Sequence, residues 1–235
     1  MKSKAYIPTL LATALASAQL GSAATLALGA TDNSTIRVGL GNQGTSAILF
    51  AGDTATDDDF LRTAVAFDLS NPLLTGATIN SATLTFTARD ADSSSANGTI
   101  TLDLHQLSSS FTNDGVTWTS RNGTDNWITA GGDFGAALAS TTGDPGTTAP
   151  GDTFSFSSGS LAGAAESSIG GSFYLLAKTD SENNDSTRRL FRFASSRNTT
   201  SAPGPVLTID YTPIPEPSTA LLGALGGLFL LRRRR

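Results

Sequence analysis

The sequence contains no cysteine and a single histidine, His105, in 235 residues. The first absence excludes disulfides, a thiolate nucleophile and every Cys/His zinc site. Stability therefore has to come from core burial. The second leaves imidazole catalysis one candidate, His105, which sits beside Asp103 on the polar side of an expected strand and reads as a solvated cross-strand residue. Positive charge is also scarce. Without Lys2, Lys4 and the four terminal arginines, nine basic residues face 20 acidic ones, a balance of about −11. Such a surface repels nucleic-acid phosphate, so no nucleic-acid partner is expected.

The two ends differ from the interior. "MKSKAYIPTLLATALASAQLGSAATLA" places Lys2 and Lys4 before an apolar stretch and then small residues suited to cleavage after Ala23 or Ala24. That is the layout of a secretory signal peptide (residues 1–23) and implies passage through the export machinery. Residues 24–212 form the body, a length that suits one all-β domain. Residues 213–235 form a distinct tail.

Within the body, Ser, Thr, Gly, Asn and Asp dominate and apolar residues recur with period two, the pattern of half-buried strands. In "SATLTFTA", Ala82, Leu84 and Phe86 alternate with Ser and Thr; in "GTITLDLHQL", Ile100, Leu102 and Leu104 do the same. These two are expected to pair as a hairpin across the polar "RDADSSSANG". Further strands are expected at "TIRVGL", "TAVAFDL", "DTFSFS", "SFYLLAK", "RLFRFAS" and "PVLTIDYT", and one short helix at "SLAGAAESSIG". The stretch 139–152 reads as a mobile Gly/Pro/Thr loop and 178–189 as a polar hairpin tip. Short strands between Gly/Ser/Asn turns imply an all-β fold, an antiparallel β-sandwich or jelly roll.

Several stretches in order resemble the DNRLRE family of exported proteins. They are "TIRVG" (35–39), "LRTAVAFDLSNPLLTGATINSATLTF" (61–86), "VTWTSRNGTDNWITAGGDFG" (116–135), "LFRFASSRN" (190–198) and "PVLTIDY" (205–211). Asn198 stands where the family pattern carries Glu. The resemblance implies a jelly roll of two antiparallel sheets, like a carbohydrate-binding module, and glycan binding for some members.

The residues themselves offer few routes to catalysis. No nucleotide-type glycine motif follows a strand, and no catalytic residue is assigned. Glycosidases need two carboxylates at suitable separation; in the body the glutamates are Glu166 and Glu182 alone. A small polysaccharide-active enzyme, a glycosidase or lyase on the same fold, is the alternative to a binding or structural module. Trp118 and Trp127 are candidate sugar-stacking platforms, with core packing as the competing reading. Arg121, with Arg62, Arg89, Arg192 and Arg197, can pair with acidic sugars or serve in surface ion pairs. No cofactor is expected. A structural calcium ion is the one candidate, served by Asp, Asn and carbonyl oxygens in loops such as 32–34, 53–59 and 89–95, with the ligand set unknown.

The tail, "PIPEPSTALLGALGGLFLLRRRR", combines Pro215, Glu216 and Pro217, an apolar run, and Arg232, Arg233, Arg234 and Arg235. Proline keeps the junction extended and accessible. The 14 apolar-region residues from Ser218 to Leu231 make a short hydrophobic helix that spans about 21 Å, less than a bilayer core of about 30 Å, which suits a transient hold on the inner membrane. The arginines stay on the cytoplasmic side. The tail resembles the PEP-CTERM sorting signal, and that resemblance implies an exosortase-type processing enzyme as partner and the outer surface or extracellular polysaccharide matrix as destination.

Overall fold

The computed structural model describes residues 22–56, 58–182, 186–199 and 202–213, together with Gly223 and Gly227. The expected signal peptide and the sorting residues Pro215, Glu216, Pro217 and Arg232 to Arg235 lie outside the described residues. Residues Ala23–Pro213 form one compact unit.

That unit is all-β, as the period-two pattern implies. Its strands are β1 (Ala24–Gly29), β2 (Asp32–Arg37), β3 (Ile48–Asp53), β4 (Phe60–Asp68), β5 (Thr78–Thr87), β6 (Ile100–Leu107), β7 (Phe134–Gly143), β8 (Thr153–Ser157), β9 (Ser172–Thr179), β10 (Arg189–Ala194) and β11 (Val206–Thr212). Among the described residues of that unit one α-helix is found, α1 (Gly159–Ser167), at the expected place; Ser158 caps it by accepting the Leu161 N–H. The strands make two antiparallel sheets, one ordered β1-β11-β5-β8, the other β10-β3-β4-β9-β6-β7 with β2 also paired to β4.

The sheets face each other across one core. The four-stranded sheet contributes Leu84, Phe86, Phe154, Phe156, Leu207 and Ile209, and the seven-stranded sheet Val65, Phe67, Leu102, Phe173, Phe191 and Phe193. Rings interlock across the gap: Phe86 and Phe193 stack at 5.1 Å, and Phe154 meets Phe191 edge-on at 5.0 Å. Each such ring, fully buried, contributes about 1.5–3 kcal/mol. This is the β-sandwich expected from the sequence.

Two expected pairings are not formed. The strands β5 and β6 belong to different sheets: β5 pairs β11 and β8, whereas β6 pairs β7 and β9. Alternation fixes which face of a strand is buried and is silent on its neighbour. The polar stretch between them crosses from one sheet to the other and is pinned along β10 by Arg89 N–H to Arg192 O (2.9 Å) and Ala96 N–H to Arg188 O (2.8 Å). Likewise β9 and β10 are not partners, so the stretch between them is a crossover rather than a hairpin tip. The stretch expected as a mobile loop at 139–152 begins as part of β7 and continues as a bonded turn, with Asp144 accepting from Gly146 and Thr148. "DNS" (32–34) is not a loop either; it opens β2, with Asn33 and Ser34 buried.

The strand β4 is buried on both faces. Val65 and Phe67 enter the main core, while Ala64 and Ala66 join Ile36, Leu107, Phe111, Val116, Trp127 and Leu176 in a second cluster on the opposite face. The segment 108–133 covers that second face. On the other side, the ribbon of β3 and β10 folds over β2 and β4: the Phe50 N–H donates to Thr35 Oγ1 at 2.9 Å and Thr63 Oγ1 donates to the Phe50 carbonyl at 2.9 Å.

Candidate functional site

The residues singled out in the sequence gather on segment 108–133. Trp127 is 5% exposed, packs in the second cluster and donates its indole N–H to Thr117 O at 3.0 Å. Trp118 is half-buried, with the Arg62 guanidinium 4.6 Å from its ring centroid. Arg121 pairs with Asp125 at 2.8 Å and reaches Ser110, an exposed tie within the segment. Asp133 closes the segment by accepting the Ile128 and Thr129 N–H groups at 3.0 and 2.7 Å.

Arg62 organises the inner end of this segment. Its guanidinium donates to Glu182 through Nε and Nη2, at 2.9 and 2.7 Å, and to Gly131 O at 2.8 Å. Lys178 lies 3.4 Å from the same carboxylate. Glu182, one of the two body glutamates, is thus committed to cations, and Glu166, the other, sits on α1. Arg62 also lies 5.3 Å from the Phe134 centroid, and Phe134 is 4.7 Å from the His105 ring. Trp118, Arg62, Phe134 and His105 therefore form one column. Gly131 admits it: φ is +88°, and a Cβ there would sit 2.4 Å from Arg62 Nη1 and 2.8 Å from Trp118.

His105 is not the solvated residue expected from the strand pattern. It is 9% exposed, and its Nδ1–H donates to Gly135 O at 2.8 Å. Nε2 is buried without a hydrogen-bond partner among the described residues. The cause is a break in register between β6 and β7 on either side of His105, which lets Phe134 fold over the ring.

A second arrangement was not foreseen. In the angle between the β3–β10 ribbon and β2–β4 lies a cleft of about 580 Å³, inside the range of small-molecule sites, about 300–1,000 Å³. Arg37, Arg188 and Arg192 line it, with Asp59, Thr35, Thr54, Thr56 and Gln43 as further polar groups and Leu40, Phe50, Leu61 and Leu190 as apolar wall. Arg37 and Arg188 each meet a carboxylate through Nε and Nη2, while Arg192 reaches Asp90 by a close Nε contact and a longer Nη2 hydrogen bond of 3.4 Å. Arg37 holds Asp59 at 2.7 and 2.5 Å, Arg188 holds Asp92 at 2.8 and 2.7 Å, and Arg192 meets Asp90 at 2.6 Å through Nε. Asp90 also accepts from Arg89 at 3.1 Å.

Three of the aspartates in 53–59 and 89–95, Asp59, Asp90 and Asp92, are these arginine partners. Among the described residues, no group of three or more His, Asp or Glu is placed to hold a metal ion. The Arg37 hydrogen bonds hold the Asp59 carboxyl below the ordinary carboxylate range, and the same bonds raise Arg37. Asp32 shifts the other way, raised chiefly by burial.

Of the cleft residues, sequence reasoning named Arg192 and the Asp59 run but not Arg37, Arg188 or Phe50. The usable signal was Arg188, Leu190 and Arg192 at alternate positions, which places all three on one side of an extended chain. No family model matches this chain, and no curated protein matches it.

Proposed function

We propose that this chain is an exported surface or matrix protein, sorted through its C-terminal PEP-CTERM-like tail, whose β-sandwich body is a non-catalytic glycan-binding module. The observation that carries the binding part is the cleft between the β3–β10 ribbon and β2–β4, where polar side chains and an apolar wall converge on one open volume. Sugars need that combination: hydroxyls to be hydrogen-bonded and C–H faces to be packed. Of the two candidate platforms, Trp127 is buried in the second cluster and Trp118 carries the Arg62 guanidinium over its ring.

The sorting part rests on the two ends of the sequence. A cationic, apolar, small-residue leader and a Pro-Glu-Pro, apolar, tetra-arginine tail flank the body. Its partners are the export machinery, the inner membrane transiently, an exosortase-type enzyme acting near Pro215 to Pro217, and a polysaccharide. Among the described residues no helix is long and apolar enough to cross a membrane.

The test is the intact mass of the protein recovered from the native cell surface. Loss of both the leader and everything beyond Pro-Glu-Pro is the expected result. A recovered chain that keeps Arg232 to Arg235 would overturn the sorting and leave a membrane-held protein.

A further inference from the structure

The cleft has three arginines, yet it is not built for a polyanion. Every guanidinium is already matched: Arg37 by Asp59, Arg188 by Asp92 and Arg192 by Asp90. At Nη1 an acidic sugar would meet a cation whose charge is already matched, and it could take the Nε and Nη2 edge of Arg37 or Arg188 only by leaving its aspartate unpaired. For Asp92, whose side chain is 5% exposed, that means a buried charge without its partner, an expensive outcome. Asp92 is tied further by Ser95 Oγ, at 3.1 Å, so it does not swing aside. The body as a whole carries more acidic than basic residues, and that balance opposes a polyanion at long range.

The same pairs suit a neutral polyol. Because Asp59 and Asp92 take Nε and Nη2 of Arg37 and Arg188, both N–H groups of each Nη1 lie outside the pair as donors. Asp59 receives Arg37 twice and Thr54 Oγ1 at 2.6 Å, three of the roughly four acceptor sites of a carboxylate. Gln43, Thr54 and Thr56 add groups that both donate and accept. A sugar hydroxyl needs one of each. Leu40, 41% exposed on the rim, and Phe50, with Arg192 5.6 Å from its centroid, supply the apolar surface against which ring C–H groups pack.

We infer that the Arg37–Arg188–Arg192 cleft binds an uncharged, hydroxyl-rich polysaccharide, with the three aspartates holding the arginines as neutral donor arrays and screening out uronate or sulfate polymers. This inference rests on the glycan-binding reading and narrows it to one ligand class and one place.

The experiment measures binding of the full chain to dextran, a mannan and a soluble β-glucan, against alginate and polygalacturonate, over a salt series. Expected is binding to at least one neutral polymer, unchanged by salt, that falls about tenfold in Phe50→Ala and about fivefold in Leu40→Ala. The second substitution lies on an exposed rim residue and leaves the fold in place, and circular dichroism confirms folding of both variants. Binding to the uronate polymers alone, falling steeply with salt, overturns the neutral class while leaving the glycan reading intact. Neutral binding unaffected by either substitution overturns the cleft as its location. Retention by none of the five polymers overturns both the inference and the reading beneath it.

Discussion

Asp59 and Asp32 show how opposite surroundings act on the same side chain. The Arg37 hydrogen bonds lower Asp59, so its contribution to stability is fully present above an ordinary Asp value of about 3.9 and is lost as pH falls through the lowered value. Asp59→Asn should cost about 1 kcal/mol at neutral pH, the worth of a part-buried pair still screened by solvent at Arg37. In urea titrations the difference should vanish once the wild-type carboxyl is protonated. For Asp32 the sign reverses. Burial raises it, so the folded state is favoured below the ordinary value and loses stability as pH rises through the raised one. Asp32→Asn should stabilise the protein at neutral pH by under about 1 kcal/mol and have no effect in acid. At this scale the sequence was a poor guide. Asp59, Asp92 and Asp90 find their partners Arg37, Arg188 and Arg192 far off in sequence, so the ion pairs could not be read from the aspartates' own neighbourhoods.

Among the elements, the segment 108–133 is the clearest case of structure without regular strand or helix. It is held by Trp127 beneath it and by the Trp118–Arg62–Phe134–His105 column at its inner end. Trp127→Ala should cost about 3–5 kcal/mol, the usual range for a buried aromatic. Hydrogen exchange should show protection lost first between Thr117 and Gly131, with the β5–β11 ladder protected longest. Equal loss throughout the protein would mean that the segment is no separate unit. Strand positions were largely legible, since β5, β6 and β11 alternate cleanly. Three strands were missed for physical reasons: β7 is built from Gly, Ala and Ser with little β-branched character, β3 runs "ILFAGD" without alternation, and β1 lies at the expected signal-peptide exit. Partners were not legible at all. The failed β5–β6 hairpin shows that a polar connection can as easily lead to the other sheet as back along the same one.

At the scale of the whole body, residues 23–213 close on themselves. The first strand pairs antiparallel with the last, Ala24 opposite Tyr211 through Gly29 opposite Val206, and Leu26 and Leu28 lean on the main core. A chain lacking residues 24–29 should therefore lose at least about 2 kcal/mol, from two half-buried leucines and a strand's worth of ladder bonds. It should also aggregate through the bared edge of β11. Denaturant midpoints and light scattering of the shortened chain check both. Unchanged values would show β1 to be a dispensable cover. The acidic balance legible in the composition also took on a different meaning with the fold in hand, because the few arginines of the body are concentrated beside aspartates rather than spread as a patch.

The position of β11 has a mechanical consequence. It is an interior strand, with β1 on one side and β5 on the other, and it is the last strand before Pro213. A protein held at a surface by its C-terminal end feels drag on its body as tension along that strand. Tension there runs parallel to both ladders and loads their hydrogen bonds together, in shear, instead of peeling them one by one. A C-terminal tether would thus load this sandwich through a strand braced on both sides.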